Sequence, residues 1–416
     1  MPDAFIIDAV RTPRGTGKPG KGALSHMHPQ HLAATVLKAL RERNNINTAD
    51  VDDVIWGTSA QFGLQGGDMG RMAALDADYD VKVSGVTLDR FCGSGLTATN
   101  LAAAQIMSGM EDLLIAGGTE MMSYITQHGI EQAAAGIKRG SLAGNARLQA
   151  RHPQTNQGVA ADAIAALEGI TRAELDAFAL ESQRRAAIAI AEGRFAKSIV
   201  PVVDDEGRVI LDHDEHPRPG TTAEGLAALK PAFTAFMDMP ADESGITFSQ
   251  IVTNRHPGLK ITPVHHAGSS SGVVDGAAAL LLASGDYARK MGWKPRARIV
   301  ATANVGDDPT LMLNAPVPAA RKVLARAGLT LADIDLFEVN EAFAVVVEKF
   351  IRDLGIDRAK INVNGGAIAL GHPIGATGAV LIGTVLDELE RRNLKRGLIT
   401  MCAAGGMGPA IIIERV

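Results

Sequence analysis

Two cysteines stand in glycine-rich runs where a thiol could act as a nucleophile or move a proton. Cys92 lies in the run FCGSG, and Cys402 lies in the run MCAAGGMG. A thiol at a strand-to-helix turn faces the unpaired N–H groups and the positive dipole end of the helix, and both favour the thiolate. The glycines beside Cys92 also let a substrate approach the backbone closely. These features predict a nucleophile elbow around Cys92.

Their surroundings alone leave other roles open for the two thiols. Both could be buried small hydrophobic residues, which is the commonest role of a free cysteine. A disulfide between Cys92 and Cys402 is another alternative, which a reducing compartment disfavours. Neither cysteine has a CxxC partner of the kind that zinc sites use, so no metal is expected.

A histidine and an asparagine stand in two more runs of this kind. His372 lies in residues 365–378, where five of fourteen positions are glycine. Imidazole titrates near neutral pH, so His372 is a candidate to take the thiol proton of Cys92. Asn340, in the run NEAFA, is a candidate donor to a developing oxyanion, directly or through a water. A hydrogen-bonded structural histidine and a helix N-cap asparagine are the alternatives.

The elements that must position these residues alternate between strands and helices. Short apolar runs separated by longer helical patterns predict strands at residues 5–10, 113–116, 299–303 and 397–401. The run DGAAALLLAS from Asp275 is predicted to form a helix. This alternation is typical of an α/β fold.

An internal repeat relates the two ends of the chain. Residues 32–57 read LAATVLKALRERNNINTADVDDVIWG, and residues 319–340 read AARKVLARAGLTLADIDLFEVN. Each run predicts an Ala-rich amphipathic helix, a cap ending in Ala-Asp, a short element and a strand. The motif ADVD at 49–52 matches ADID at 332–335.

The repeat extends downstream in both halves. Residues 86–89 predict a strand before the Cys92 run, and residues 96–108 predict a helix after it. In the second half, residues 360–364 precede the His372 run, and a helix at 377–391 is predicted after it.

Two related α/β halves are therefore expected to flank a central stretch. We predict an N-terminal half at 1–122, a loop-bearing substrate-covering domain at 123–264 that returns to the N-terminal half, and a C-terminal half at 265–416. A chain of 416 residues is long enough for two or three domains.

Composition narrows the classes of partner. The net charge of -5 gives no reason to expect nucleic acid or an anionic membrane as partner. The N-terminus lacks the basic region and apolar core of a signal peptide, and no apolar run approaches the ~18 residues of a membrane span. A cytoplasmic protein is expected.

The order and content of these runs resemble the thiolase family, the acetyl-CoA acetyltransferases and 3-ketoacyl-CoA thiolases. The resemblance covers essentially the whole chain, from IIDAVRTPRG near the start to the late CxxGGMG. Its main motifs are CGSGL at Cys92, NEAFA at Asn340, GHPIGATG at His372 and the glycine-rich run at Cys402. It implies two related α/β halves in a five-layered core, with a loop domain over the active site.

The resemblance also implies a role for each candidate residue. Cys92 would be the nucleophile that takes the acyl group, and His372 would deprotonate it and then help to hold a thioester oxygen. Asn340 would complete that oxyanion site through a water. Cys402 would move a proton at the α-carbon of the acetyl-CoA-derived partner. Backbone N–H groups at Cys92 and around Ala404 would form the other oxyanion site.

The implied activity is reversible Claisen condensation and thiolysis of 3-ketoacyl-CoA through a Cys92 acyl-enzyme. Coenzyme A and acyl-CoA would be substrates, with no permanently bound cofactor. Ser271 matches the family serine that contacts the pantetheine arm, and Arg218 matches a position near the nucleotide end. A loop cap and a solvated surface charge are their alternative roles. A homodimer or homotetramer is implied.

Four features depart from the family pattern. Ala404 stands where the family usually has glycine, and Ser269 and Val274 replace two asparagines. The connection through residues 233–271 is longer than usual and brings His265 and His266 close in sequence to Ser271. These two are expected to be loop histidines, with an influence on acyl-chain choice as the alternative.

Two other functions remain open. A condensing enzyme of the same fold acting on carrier-protein thioesters typically pairs one cysteine with two histidines, so Cys402 and NEAFA argue against it. A non-catalytic acyl-CoA or lipid-binding relative would keep the pocket without the chemistry. Retention of Cys92, His372, Cys402 and Asn340 argues against this second alternative, whereas Ala404 keeps it open.

Overall fold

The computed structural model describes residues 2–135 and 145–416. Its strands are Ala4–Arg11 (β1), Gly15–Thr16 (β2), Asp53–Gly57 (β3), Ser84–Leu88 (β4), Leu113–Met121 (β5), Val202–Val203 (β6), Val209–Leu211 (β7), Val274–Ser284 (β8), Ala297–Gly306 (β9), Leu336–Val339 (β10), Arg396–Thr400 (β11) and Met407–Arg415 (β12). Its α-helices are Pro29–Asn44 (α1), Met69–Asp76 (α2), Ser94–Ser108 (α3), Met122–Ala134 (α4), Ala146–Arg151 (α5), Gln157–Glu168 (α6), Arg172–Ala191 (α7), Ala223–Ala227 (α8), Thr234–Met237 (α9), Phe248–Arg255 (α10), Gly285–Met291 (α11), Pro316–Ala327 (α12), Ala344–Leu354 (α13), Ala367–Leu370 (α14) and Thr377–Arg392 (α15).

The main sheet is mixed and continuous across both halves of the chain. Its strand order is β10-β11-β12-β9-β1-β8-β5-β3-β4, with β2 paired to β8. In the first half β3 is parallel to β4 and β5, and in the second β10 is parallel to β11. The halves join where β1 meets β9, with Phe5 opposite Arg298 and Ile6 opposite Ala297.

Three buried clusters divide this fold into five layers. The sheet has two groups of strands, with β4, β3, β5, β8 and β1 in the first and β9, β12, β11 and β10 in the second. Helices α3 and α15 pack on each other between these two groups, in one shared core. Helices α1 and α2 cover the outer face of the first group, and α12 and α13 cover the outer face of the second. Strand β5 shows the consequence, since Leu114 faces α3 whereas Ile115 faces α1. The predicted α/β class and five-layered architecture are confirmed.

The internal repeat is confirmed by a matching pair of aspartates. Asp52 follows a 3-10 turn, Thr48–Asp50, and its Oδ2 accepts from the N–H groups of Asp112 and Leu113, both at 2.9 Å. In the second half, Asp335 follows the turn Leu331–Asp333, and its Oδ2 accepts from Lys395 at 2.9 Å and Arg396 at 2.8 Å. Asp52 thus fixes the start of β5, which pairs with β3, and Asp335 fixes the start of β11, which pairs with β10.

The predicted helix from Asp275 is wrong, because this run forms strand β8. All eleven residues of β8 are buried, and the strand pairs antiparallel with β1 on one side and β5 on the other. Ala and Leu favour helices in isolation, but a strand buried on both faces needs a continuous apolar run. Tertiary pairing has outweighed local propensity here.

Residues 360–364, which precede the His372 run as residues 86–89 precede the Cys92 run, do not form a strand. Ile361 makes one isolated parallel bridge to Phe337, and Asn362 has φ +45°. The Asn362 side chain replaces the missing ladder, accepting from Val339 N–H at 2.9 Å and donating to Val339 O at 2.8 Å. Asparagine tolerates the left-handed region, and this conformation of Asn362 prevents a strand from forming here. The four predicted apolar runs lie in β1, β5, β9 and, to within one residue, β11.

The central stretch carries loops and several helices. Its longest helix, α7, begins with a capping box in which Thr171 and Glu174 satisfy each other's backbone N–H groups. The division at 1–122, 123–264 and 265–416 stays a prediction, and β8 pairs with N-terminal strands although it follows residue 265. Within the described residues, no helix is both long and apolar enough to cross a bilayer.

Candidate active site

The turn that carries Cys92 is held by its own backbone. Phe91 has φ +49°, a conformation that costs energy for a bulky residue and is typical of functional turns. Ser94 locks it, because its Oγ donates to Phe91 O at 2.6 Å and accepts from Arg90 N–H at 2.9 Å. Helix α3 begins at Ser94, so Cys92 lies at the amino end of a helix as the sequence predicted.

The turn that carries His372 depends on a glycine. Gly371 has φ +94°, and a Cβ there would lie 2.4 Å from Val274 Cγ1. Only glycine adopts this conformation without strain and leaves room for Val274. The N–H of His372 then donates to Gly272 O at 2.9 Å, which ties this turn to the segment before β8.

The Cys92 turn and the His372 turn approach each other closely because glycines stand at the starts of the helices that follow them. A Cβ on Gly95 would lie 2.5 Å from Gly375 O, and one on Gly378 would lie 2.1 Å from Leu96 N. Helices α3 and α15 are therefore in backbone contact at their amino ends. This contact brings the Cys92 turn of one half against the His372 turn of the other.

The imidazole of His372 is held at both nitrogens. Its Nδ1 lies 2.6 Å from Thr377 Oγ1, and the Thr377 hydroxyl donates to Pro373 O at 2.9 Å. Because a hydroxyl has a single proton to give, Nδ1 is the donor in the first contact. Nε2 then carries the lone pair and accepts from the Asn340 amide at 3.3 Å. The buried ring thus presents a basic nitrogen.

Cys92 and His372 are both neutral at physiological pH. Burial, reinforced by the nearby charge of Glu120, raises the pKa of Cys92 to about 12, although the N–H groups of Cys92 and Ala404 favour its thiolate. Burial and the positive charge of Arg14 lower the pKa of His372 to about 4. Transfer of the thiol proton to the imidazole is therefore uphill by itself and has to accompany attack on a substrate.

Cys402 lies on the turn between β11 and β12 and is 1% exposed. Burial and the neighbouring Cys92 raise its pKa above the ordinary thiol value. A short hairpin shapes the turn, with Ala403 N–H donating to Met407 O at 2.7 Å and Met407 N–H to Ala403 O at 3.1 Å. The backbone N–H of Ala404, on the same turn, lowers the pKa of Cys92 and so favours its thiolate, although alanine replaces glycine here.

One cavity of about 990 Å³ collects most of the candidate residues. Those that line it are Cys92, His372, Cys402, Ala404, Ser271 and Arg218. Asn340 is 1% exposed and lies behind His372, and its Oδ1 has no hydrogen-bond partner among the described residues. The structure thus brings all seven predicted site residues together, from both halves and the intervening segment.

The backbone near Ser271 and Arg218 is also fixed. Ser271 N–H donates to Ala342 O at 3.0 Å, which joins the segment around Ser271 to the NEAFA run. Arg218 N–H donates to Gln183 Oε1 at 3.0 Å, on helix α7. Both residues line the cavity, Ser271 half-buried and Arg218 exposed, and their roles in CoA binding stay predictions.

Sequence reasoning missed Glu120, a buried carboxylate at the end of β5. It accepts from six donors: Thr58 Oγ1, Ser59 N, Ser59 Oγ, Ala60 N, Gln65 Nε2 and Gly375 N. Burial raises the pKa of Glu120, and the hydrogen bonds from Ser59, Gln65 and Ala60 oppose this shift. Through the bond from Gly375 N–H, Glu120 holds the His372 turn.

A second missed group is the buried clamp of Arg11, Arg14 and Asp214. Arg11 donates to Asp214 through both terminal nitrogens, at 2.7 and 2.9 Å, and Arg14 N–H donates to Asp214 Oδ1 at 2.8 Å. Although burial opposes ionisation, the two guanidinium charges hold the pKa of Asp214 well below its usual range. A contact across about 200 residues leaves no local signal in the sequence.

His265 and His266 lie in a loop, as the sequence predicted, and both are fully buried. His265 Nδ1 lies 2.8 Å from Asp162 Oδ1, and His266 Nε2 lies 2.7 Å from Asp176 Oδ1. The two pairs tie the longer connection to α6 and α7. The His265 ring also packs edge-on against Phe343, a cavity residue, at 5.7 Å between centroids.

The donor set shows no metal centre. Within residues 2–135 and 145–416, no group of three or more His, Cys, Asp or Glu side chains could hold an ion. The thiols of Cys92 and Cys402 are both free.

Comparison with protein families matches nearly the whole chain. The family model described as "Thiolase, N-terminal domain" matches residues 4–247, and "Thiolase, C-terminal domain" matches residues 293–415. Both stretches contain cavity residues, Cys92 in the first and His372 and Cys402 in the second.

Curated proteins and a solved structure give the same match. The chain is 41% identical over 430 aligned positions to a beta-ketoadipyl-CoA thiolase of Acinetobacter baylyi, covering 100% of both. It is 40% identical over 424 positions to a 3-ketoacyl-CoA thiolase of Cronobacter sakazakii, again covering 100% of both. A crystal structure of the Bacillus anthracis acetyl-CoA acetyltransferase superposes with a TM-score of 0.84 at 35% identity, covering 100% of this chain and 99% of that one.

Proposed function

The chain belongs to the thiolase family of acyltransferases, and on that premise we propose that Cys92, His372, Asn340 and Cys402 carry out its reaction on 3-ketoacyl-CoA thioesters. One observation carries the proposal: Cys92, His372 and Cys402 line a single cavity. CoA and acyl-CoA are substrates, and the proposal includes no permanently bound cofactor.

In the thiolysis direction the first half-reaction breaks the carbon–carbon bond. The Cys92 sulfur attacks the 3-keto carbonyl while His372 Nε2 takes the thiol proton. The tetrahedral intermediate collapses, the C2–C3 electron pair passes to the acetyl-CoA fragment, and Cys402 donates its proton to that carbon. Acetyl-CoA leaves, and the shortened acyl group stays on Cys92 as a thioester.

The second half-reaction regenerates the enzyme. The Cys402 thiolate takes the proton of an incoming CoA thiol, whose sulfur attacks the acyl-enzyme carbonyl. The Cys92 sulfur leaves and regains its proton from His372. A thioester is exchanged for a thioester, so this half is nearly balanced, and the same steps in reverse form the carbon–carbon bond.

Two sets of donors stabilise the negative charge that develops on oxygen. The N–H groups of Cys92 and Ala404 act on the tetrahedral intermediate at the acyl carbon. Asn340 and His372 act on the acetyl thioester oxygen when its α-carbon becomes a carbanion. The unpartnered Oδ1 of Asn340 supports a water at this second site, since a water that donates to Oδ1 has its other proton free for the oxyanion.

Apolar side chains supply much of the cavity wall, which suits an aliphatic acyl chain. They are Met122, Leu226, Leu229, Phe233, Val273, Leu313, Phe343, Ile368 and Ile374. Such 3-ketoacyl-CoA esters are intermediates of lipid metabolism. An E. coli relative, 42% identical over the full chain, is a 3-oxoadipyl-CoA/3-oxo-5,6-dehydrosuberyl-CoA thiolase, so a carboxylate-ended chain is the alternative substrate.

The first experiment is thiolysis of acetoacetyl-CoA and a longer 3-ketoacyl-CoA by purified protein, with intact-mass detection of the acyl-enzyme. Turnover with an acyl adduct that is absent in Cys92→Ser supports the proposal. A Cys92→Ser variant that still turns over would refute the nucleophile. Comparing 3-oxohexanoyl-CoA with 3-oxoadipyl-CoA, which differ at the chain end, tests the aliphatic preference, and faster cleavage of 3-oxoadipyl-CoA would overturn it.

CoA lies along the wall formed by Ser271 and Arg218 in this proposal. Ser271 contacts the pantetheine arm, and Arg218 contacts the nucleotide end, where phosphate charge favours a guanidinium. Arg218→Gln is expected to raise KM for CoA several-fold and leave kcat nearly unchanged, because that contact is remote from the reacting carbon. An unchanged KM would contradict the assignment.

The proposal includes a homodimer in the cytoplasm. Among the described residues, strand β4 is the last strand at one edge of the sheet, and exposed apolar side chains lie on it and near it: Val86 at 44%, Phe91 at 45% and Leu101 at 46%. Two free thiols suit a reducing compartment. Light scattering after gel filtration tests the dimer, which Val86→Lys is expected to weaken, and cell fractionation tests the location.

A further inference from the structure

Arg14, three residues after the end of strand β1, reaches the catalytic turn. Its Nη1 donates to Gly371 O at 3.3 Å, one residue before His372. The side chain is 6% exposed and has little freedom, because Asp214 Oδ2 accepts from its Nη2 at 3.3 Å. A buried cation therefore sits against the backbone that aims the imidazole.

The anchor of Arg14 lies on the segment that forms the opposite wall of the cavity. Glu215 N–H donates to Arg14 O at 3.0 Å, so Asp214 and Glu215 clasp Arg14 by side chain and backbone. The residues that follow, from His216 to Arg218, line the cavity. Arg14 thus joins this wall to the His372 turn.

The charged and titratable groups around His372 come from five elements. Arg14 follows β1, Cys92 precedes α3, Cys402 follows β11, His216 lies on the opposite wall, and Glu338 lies on β10 beside Asn340. The two thiols and His216 are neutral at physiological pH, since burial raises the pKa of Cys92 and lowers that of His216 to about 4. Burial also raises the pKa of Glu338 well above its usual value. Arg14 is therefore the cation among these groups that acts on the ring.

We propose that Arg14 is a positioning residue for His372, which fixes the turn through Gly371 O and keeps the imidazole unprotonated by its charge. The inference rests on the proposed role of His372 as the group that takes the Cys92 proton. The effect of Arg14 on the protonation of His372 does not depend on that role, because a fixed positive charge opposes formation of an imidazolium.

The test uses Arg14→Met, which keeps an unbranched chain and removes the charge. NMR of protein with 13C-labelled histidine follows the titration of His372, whose signal among the eleven histidines is the one absent in His372→Asn. Loss of the cation is expected to raise the His372 midpoint by about one pH unit. The acid limb of kcat/KM should move to higher pH by the same amount. An unmoved midpoint would overturn the inference.

Arg11→Met is the matched control, because Arg11 binds the same carboxylate but is not hydrogen-bonded to Gly371. It should weaken the clamp without moving the His372 midpoint, and an equal shift in both variants would mean that the clamp as a whole is responsible. A shifted midpoint with an unmoved acid limb would support the inference and refute His372 as the base.

Arg14→Lys separates charge from geometry and decides the question if Arg14→Met fails to fold. A lysine keeps the charge but lacks the guanidinium fork that binds Asp214 and Gly371 together. The expected result is a midpoint close to wild type and a kcat lower by about 10- to 100-fold. A wild-type kcat in Arg14→Lys would overturn the positioning role.

Discussion

The two halves share one framework but contribute unequally to the active site. Asp52 and Asp335 make the same pair of backbone contacts, and the register that follows aligns β3 with β10 and β5 with β11. By this alignment Asn340 corresponds to Gly57, and Cys402 corresponds to Thr119.

The N-terminal residues at these positions have packing roles. A Cβ on Gly57 would lie 2.6 Å from Gly95 N, so glycine admits the start of α3. Thr119 Oγ1 accepts from Trp56 Nε1 at 3.1 Å inside the core. The two halves therefore offer equivalent positions at their strand ends, and the residue type at each position decides whether it does chemistry.

Copying the N-terminal residue into the C-terminal half should remove the proton transfer. Cys402→Thr keeps a side chain of similar size but replaces the thiol by a hydroxyl that does not ionise at working pH. We expect kcat for condensation of acetyl-CoA to fall about 1,000-fold. Acyl transfer to Cys92 from acyl-CoA, measured by intact mass, should slow less than condensation, because a departing CoA thiolate needs a proton from residue 402 less than a carbanion does. Loss of that first step as well would show that the substitution disturbs more than proton transfer.

Asn340→Gly makes the second copy and should have a smaller effect. It removes the amide 3.3 Å from His372 Nε2, and with it the proposed donor to the thioester oxygen. A drop in kcat of about 100-fold is expected from loss of one oxyanion donor. Asn340→Asp is the control of matched shape, and an activity close to wild type in either variant would contradict the assignment.

Glu120→Gln should change stability and thiol reactivity in opposite senses. A glutamine amide would face some of the six donors with its own N–H groups, so the melting temperature should fall. Because the carboxylate charge raises the pKa of Cys92, its removal lowers that pKa, and iodoacetamide should alkylate Cys92 several-fold faster at pH 8.

The wild-type alkylation rate supplies the baseline for this comparison. With a Cys92 pKa of about 12, the rate should rise about tenfold per pH unit from pH 7 to 10. A plateau near pH 7 would indicate a preformed thiolate–imidazolium pair instead. A slower alkylation in Glu120→Gln would contradict the sign of the charge effect.

The smallest effects are expected from the two anchoring aspartates. Asp52→Asn and Asp335→Asn each weaken two charge-assisted bonds to backbone N–H groups, at a cost of about 1 kcal/mol in the free energy of unfolding. Denaturant unfolding of the two variants should give similar losses if the positions are equivalent. A much larger loss in one variant would break the equivalence of the halves.

Local signals predicted a large part of this molecule. Helix α15 was expected at 377–391 and is Thr377–Arg392, because its amphipathic pattern and glycine-rich start are both local. The Cys92 turn lies between a strand and a helix for the same reason. Strand β8 was mistaken for a helix, since pairing with β1 and β5 overrides a composition that favours helix.

The supporting contacts of the active site could not be read from the sequence. Arg14 and Asp214 are separated by 200 residues, and Glu120 and Gly375 by 255. A motif identifies which residues do the chemistry, because those residues stand in a distinctive local run. The groups that hold them are ordinary charged residues whose partners are set by the fold alone.

The backbone contact between α3 and α15 has a consequence for how substrate range can diversify. Gly95 and Gly378 leave no side chain there that could be enlarged or trimmed, so side-chain size at this contact cannot change the spacing between the nucleophile and the imidazole. Changes in acyl preference have to arise in the segments that wall the cavity, such as the one that contains Phe233. Reaction and selectivity are thereby separable traits, and a lineage can acquire new substrates without re-evolving the chemistry.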